Sequence, residues 1–169
     1  MADLESSLAQ TLPAAQPCGE ERRALAVARG ICRLFARNET WCLAEMPLRC
    51  GRRADLMGID AKGRVIIVEI KVSRADLLCD QKWPDYLDYC DHFFWAVPAG
   101  FSLAHFDSGP LGPGLSGLIV ADRYDAAVVR EAPMRKLAPA RRKAETLRFA
   151  RRAARRLVGD LDPGLATLL

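Results

Sequence analysis

Asp55, Glu69 and Lys71 are the residues whose types and spacing offer chemistry. The run from Val65 to Val72 reads as a core strand, yet it carries Glu69 and Lys71 two positions apart. An unpaired charge buried in such a strand costs several kcal/mol, so charges there are paired, hold a metal or stand at an exposed end. Side chains alternate along a strand, which sends Glu69 and Lys71 to one side and Val68, Ile70 and Val72 to the other. A short turn at residues 60–63 makes the preceding segment an antiparallel neighbour. Pairing centred near residues 61 and 62 then sets Asp55 opposite position 68 or 69. Two converging carboxylates form a hard-oxygen site for Mg²⁺ or Mn²⁺. Such a metal acidifies a water and neutralises charge on a phosphate oxygen, and an adjacent lysine can hold that water. The alternative is a surface ion pair between Glu69 and Lys71, of little energetic weight, which leaves Asp55 unexplained.

These residues need a scaffold, and the sequence outlines one. Residues 20–37 place Leu25, Ala28, Cys32 and Phe35 on one helical stripe with Ile31 beside it, after an acidic first turn that suits the helix dipole. Residues 41–48 read as a strand, 52–60 as a second and 64–72 as a third, with a turn at Lys62-Gly63. Ser73-Arg74-Ala75-Asp76 has the form of a capping box, opening a helix that runs toward Cys90 with a kink at Pro84. Residues 93–97 form a fourth strand, 98–113 a Gly- and Pro-rich loop, and 118–121 with 126–130 a hairpin. Residues 139–158 form a C-terminal helix with an inner stripe of Ala140, Ala144, Leu147, Ala154 and Val158. Arg141, Arg148, Arg152 and Arg155 share its outer face. This order predicts an α/β (α+β) sandwich with a mixed sheet, not an alternating doubly wound fold.

The chain has 169 residues, sufficient for one domain with a core, and no apolar run approaches bilayer length. The acidic start lacks the basic-then-apolar order of a signal peptide, so a soluble cytoplasmic protein is expected. Six cysteines lack any C-x-x-C pair, which argues against a zinc ribbon, and most are read as small buried residues. Arginine outnumbers lysine twenty to five, the mark of a GC-rich bacterial genome. Residues 135–156 hold ten Lys/Arg and one acid, a net +9 that leaves −5 for the remainder. That asymmetry points to a segment facing nucleic acid, the alternative being a solvated helix face.

Asp55 with Glu69-Ile70-Lys71, on apolar strands after a helix, resembles the PD-(D/E)xK nuclease superfamily. The wider stretch "GRRADL … VEIKVSRADL … DQKWPDYLDYCDHFFWAVPAGF" resembles the bacterial MmcB family of DNA-repair-associated proteins, and the likeness extends into "GLIVADRY" and the basic helix. The resemblance implies a restriction-endonuclease-like αβα sandwich with a central mixed sheet. Residues 19–169 would be one nuclease-like domain after a loose lead-in at 1–18. It implies Asp55 and Glu69 as metal ligands for Mg²⁺ or Mn²⁺, the Ile70 backbone carbonyl as a third, and Lys71 as the residue positioning the water. Many members add a glutamate from the first helix. Glu20 and Glu21 are candidates here, and Glu45 on the first strand is another. Gln81 with Tyr86 is one residue too long for the Gln-x3-Tyr pattern of some relatives, and Lys82 fits the "D-x-K-W" run.

DNA contacts are expected from Arg52, Arg53, Lys82, Arg141, Arg142, Arg148, Arg152 and Arg155, although Arg52 or Arg53 could pair with Glu45. Trp83, Tyr86 and Tyr89 read as packing before base-stacking, and Asp76 as a helix cap before a ligand. Two functions follow. One is a DNA-repair endonuclease hydrolysing phosphodiester bonds with a metal-activated water. The other is a non-catalytic relative that binds DNA or a repair protein. The expected partners are damaged or branched DNA, a repair protein and a second copy in a homodimer, with no membrane.

Overall fold

The structure is a computed structural model that describes residues 19–107 and 109–164, so the expected lead-in at 1–18 lies outside the described residues. Helix α1 (Gly19–Arg37) precedes strands β1 (Trp41–Pro47), β2 (Arg53–Ile59) and β3 (Val65–Ile70). Helix α2 (Arg74–Cys79), β4 (His92–Pro98), β5 (Gly117–Ala121), β6 (Ala126–Arg130) and α3 (Pro139–Leu161) follow. The six strands lie in chain order in one mixed sheet. The β1–β3 meander is antiparallel, β3, β4 and β5 run parallel, and β6 returns antiparallel. One face packs Val27, Ile31 and Phe35 of α1 against Leu56, Val68, Phe94 and Ile119. The other buries Met57, Ile67, Trp83, Phe93 and Trp95, with Phe149 of α3 against them. The expected sandwich with a mixed sheet is the observed fold.

Each turn that sets register has a local cause. Asp60 Oδ1 accepts from the amides of Lys62 and Arg64, and Gly63 takes a φ of +73°. That tight turn pairs Leu56 with Val68, so Asp55 comes opposite Glu69.

Four expectations are corrected. In α1 the buried positions are Val27, Gly30, Ile31 and Phe35, while Leu25 is 59% exposed. Gly30 explains this rotation: it abuts the carbonyl oxygens of Asp122 and Asp125 in the β5–β6 turn, so its side of the helix must face inward. The second helix stops at Cys79 instead of running to Cys90, and Trp83–Tyr89 is a separate 3₁₀ segment with Pro84 in its first turn. Only Cys90 is buried among the described cysteines, and Cys50 and Cys79 are exposed.

The fourth correction concerns α3, which is turned relative to its apolar pattern. Leu147 and Val158 are 58% and 40% exposed, whereas Glu145 is fully buried and Arg148 and Arg152 are half-buried. The reason is the free edge of β1. Arg148 Nη2 donates to Pro47 O at 2.5 Å and Arg156 Nη2 to Ala44 O at 2.5 Å, satisfying carbonyls of an edge strand. Long arginine stems cover apolar surface while their heads do this, and the helix's small alanines cannot.

Gly30→Ala is expected to destabilise the fold by about 1–3 kcal/mol, because backbone carbonyls block the new methyl. Helix propensity alone would stabilise by up to about 1 kcal/mol. A denaturant titration reads the sign, and a more stable variant would refute this packing account.

Candidate functional site

The end of the sheet where β2 begins and β3 finishes gathers the charged residues. Asp55 Oδ2 accepts from the Ile70 amide at 2.7 Å, and the Asp55 amide donates to Glu69 Oε1 at 3.2 Å. The two carboxylates are thus laced to each other's strands. Glu69 is 4% exposed and Lys71 6%. Burial, then the charge of Asp55, pushes Glu69 up to about 9. Burial likewise raises Asp55, against the Ile70 amide and the Lys71 charge. Two carboxylates held in this way resist ionising together.

The Ile70 carbonyl follows from the backbone. Lys71 N donates to Ala96 O of β4 at 2.8 Å, and the described peptide bonds are all trans. The Ile70 C=O therefore points away from β4, toward the side on which Asp55 stands. Two carboxylates and this carbonyl form an all-oxygen donor set, open to completion by water, which fits Mg²⁺ or Mn²⁺. Among the described residues, no group of three or more His, Cys, Asp or Glu forms a metal cage on its own.

Lys71 has partners that the sequence reading did not name. Its Nζ lies 2.8 Å from Asp80 Oδ2, 3.4 Å from Asp76 Oδ1 and 5.7 Å from the Trp95 ring centroid. Burial alone would lower its pKa, but the hydrogen bond to Asp80 and the charges of Asp80, Asp76 and Glu69 outweigh it and raise it. Asp80 could have been found in the sequence. A buried lysine needs an acid, and Asp76 and Asp80 stand four apart, the spacing that aligns side chains on one helical face. The capping box is only half made, because Ser73 Oγ accepts from the Asp76 amide at 3.4 Å while the Asp76 carboxylate turns to Lys71. Tyr86 closes the site. Its hydroxyl donates to Arg53 O at 3.3 Å, and burial followed by the charges of Glu69, Asp55 and Asp80 raises its pKa.

The remaining candidates are distributed around this centre. Glu45 lies between the Ala44–Leu56 and Met46–Ala54 pairs of the β1–β2 register, at the level of Asp55, with a left-handed φ of 54°. Leu43 and Met46, three apart, both join the core on the Glu69 face, so side-chain alternation breaks at Glu45. Its carboxylate meets Arg53 Nε at 2.5 Å. Arg52 Nη2 pairs with Asp85 at 2.9 Å. Glu20 and Glu21 are exposed in the first turn of α1, which packs on the sheet face opposite Glu69. Lys82 is exposed beside the Asp80 turn. Trp83, Tyr86 and Tyr89 are buried, with Trp83 and Tyr86 stacked on Phe93.

On α3, Arg142 grips the fully buried Asp91 through both terminal nitrogens, at 2.7 and 2.6 Å, and also donates to Gly63 O. Arg141 lies over the Tyr89 ring at 4.5 Å. Glu145 is buried with neither carboxylate oxygen in a hydrogen bond; Arg148 Nε forms an ion pair with it at 3.6 Å, and desolvation raises its pKa. Arg155 is exposed.

Residues 11–164 match the protein family described as DNA repair protein MmcB-like. A solved structure, the SPO1766 protein of unknown function from Silicibacter pomeroyi, is 43% identical, with a TM-score of 0.76 over 88% of this chain and 96% of that one. Nothing matches among curated proteins.

Proposed function

The chain belongs to the MmcB-like DNA repair protein family, and from that premise we propose that it is a metal-dependent endonuclease acting on DNA phosphodiester bonds. The observation that carries this reading is the pair of half-buried Asp55 and buried Glu69, opposed across β2 and β3 with Lys71 on the same face. A desolvated carboxylate pair is costly, and a divalent cation held between the two offsets that cost.

Asp55, Glu69 and the Ile70 carbonyl would hold Mg²⁺ or Mn²⁺. When bound, the metal supplies Lewis acidity toward a phosphate oxygen and lowers the pKa of a coordinated water. The Ile70 amide orients Asp55, and the Asp55 amide orients Glu69. Asp80 and Asp76 keep Lys71 protonated and tethered beside them. From there its ammonium donates to a water or to a phosphate oxygen. Tyr86, kept neutral, closes the apolar side of the site.

A second reading, a non-catalytic DNA- or protein-binding module, is favoured by one observation: Lys71 is already engaged with Asp80 at 2.8 Å. A cleavage panel of nicked, flapped, branched, mismatched and abasic duplexes with Mg²⁺ and Mn²⁺ separates the two. Cleavage of at least one substrate is expected, abolished by chelation. Lys71→Ala is expected to retain Mn²⁺ and DNA binding while losing cleavage, since it acts outside the ligand set. Lys71→Met, which keeps the apolar stem over Trp95, serves as the folded control. Binding without cleavage by the wild-type protein would give the second reading preference.

A further inference from the structure

Two cysteines meet where α1 hands over to β1. Cys32 comes from the second half of α1 and Cys42 from the second position of β1. Both are half-buried against the same apolar cluster under α1. Strand alternation explains the side that Cys42 takes. It pairs with Gly58, and Leu56, two residues before Gly58, belongs to the face that α1 covers. Gly58 leaves room there, since a methyl would stand 3.0 Å from Cys42 Sγ and 3.1 Å from Thr40 Cγ2. The turn after α1 is tight, with the amides of Asn38 and Thr40 both donating to Phe35 O. It folds β1 back beneath the helix, and the two thiols hydrogen-bond to each other.

The contact gives its two members different chemistry. Cys42 donates, and this bond lowers the Cys32 pKa to about 7 against the opposing effect of burial. The same bond, then burial and the charge of Cys32, raises Cys42, which stays a thiol. At pH 7 a thiol of pKa about 7 is about half ionised, against about 3% for an ordinary one. Its lower intrinsic nucleophilicity takes back a factor of about five, so the net rate advantage is only about threefold. What sets this pair apart is the second thiol already in contact. Cys90 is the contrast: it is buried, donates to Tyr86 O, and burial raises its pKa.

We propose that Cys32 and Cys42 form an oxidation site, which a hydroperoxide converts to a disulfide stapling α1 to β1. The Cys32 thiolate attacks a peroxide oxygen: an S–O bond forms, the O–O bond breaks, and the departing hydroxide takes a proton to become water. Cys42 sulfur then attacks Cys32 sulfur: the S–S bond forms, the S–O bond breaks, and the hydroxyl leaves with the Cys42 proton as a second water. The two thiols lose two electrons and the peroxide gains them. The staple fixes α1 over Leu56 and Val68, behind the strands that carry Asp55 and Glu69. It depends on no nuclease activity.

The test uses the full-length wild-type protein, reduced and then treated with hydrogen peroxide at pH 7 without DNA or metal. Remaining thiols are blocked, and peptide mass spectrometry reads which cysteines are joined. The expected product is a Cys32–Cys42 bridge that dithiothreitol reverses. It should raise Tm by roughly 5 °C, because closing a loop of eleven residues restricts the unfolded chain. In Cys42→Ala a sulfenic acid should persist on Cys32 and be trapped by a 1,3-dione probe, whereas Cys32→Ala should leave Cys42 unoxidised. Oxidation at Cys18, Cys50 or Cys79 with Cys32 and Cys42 both still free would overturn the site. A bridge that forms as fast in urea-unfolded protein would overturn the claim that the fold assembles it. Both decisive readings come from the wild-type chain, so they stand even where a variant fails to fold.

Discussion

Asp91→Ala should cost about 3–5 kcal/mol, the largest stability loss expected from a single substitution here. Asp91 is fully buried, and its two oxygens accept from the amides of Val65 and Leu137 and from both terminal nitrogens of Arg142. One carboxylate therefore ties the start of β3, the segment leading to α3 and α3 itself. Truncation strands two backbone donors and a guanidinium, each of which needs an acceptor. Burial alone would raise Asp91, but the hydrogen bonds from Arg142, Leu137 and Val65 outweigh it and hold its pKa below the usual carboxylate value. A carboxylate with a depressed folded-state pKa gives stability that is fully present above its unfolded pKa. That stability is lost as pH falls through the folded value. Urea titrations at pH 7 and in acid should show Asp91→Asn several kcal/mol below wild type at pH 7, with the gap narrowing in acid. Equal stability at pH 7 would dismiss the clamp.

Glu69→Gln and Asp55→Asn should divide stability from function. Each removes a carboxyl whose folded-state pKa burial has raised, and with it the cost of protonating it or of holding its charge out of water. Metal-free protein is therefore expected to gain about 1 kcal/mol, or roughly 2–4 °C in Tm for a chain of this size. The same changes should abolish Mn²⁺ binding in calorimetry. They should also lower cleavage by at least about 10³-fold, equivalent to about 4 kcal/mol of lost transition-state stabilisation. A destabilised variant that still binds Mn²⁺ would contradict both halves: the pair would then be a structural hydrogen-bonding unit.

The nuclease reading makes Lys71 and Asp80 a coupled unit. Arg142 and Arg148, expected at DNA from their charge, hold Asp91 and the edge of β1 in the free protein. Charge count alone cannot make that distinction. A guanidinium is equally basic whether it faces a phosphate or a buried carboxylate.

What the sequence determined by itself was local. The β2–β3 turn is built from residues within four positions of Asp60, and side-chain alternation does the rest, so the Asp55–Glu69 opposition was readable without a structure. The mixed sheet followed from element order. What the tertiary structure decided was the direction in which helices face and the partner each charge takes. Gly30 turns α1 because a β5–β6 turn more than ninety residues later leaves no room for a side chain. The open edge of β1 turns α3 against its apolar pattern, since unpaired strand carbonyls demand donors and only arginines can reach them. Lys71 takes Asp80 because the second helix ends early and brings that acid back over the strand. A hydrophobic period records which residues can be buried, but the hydrogen-bonding needs of distant backbone decide which ones are.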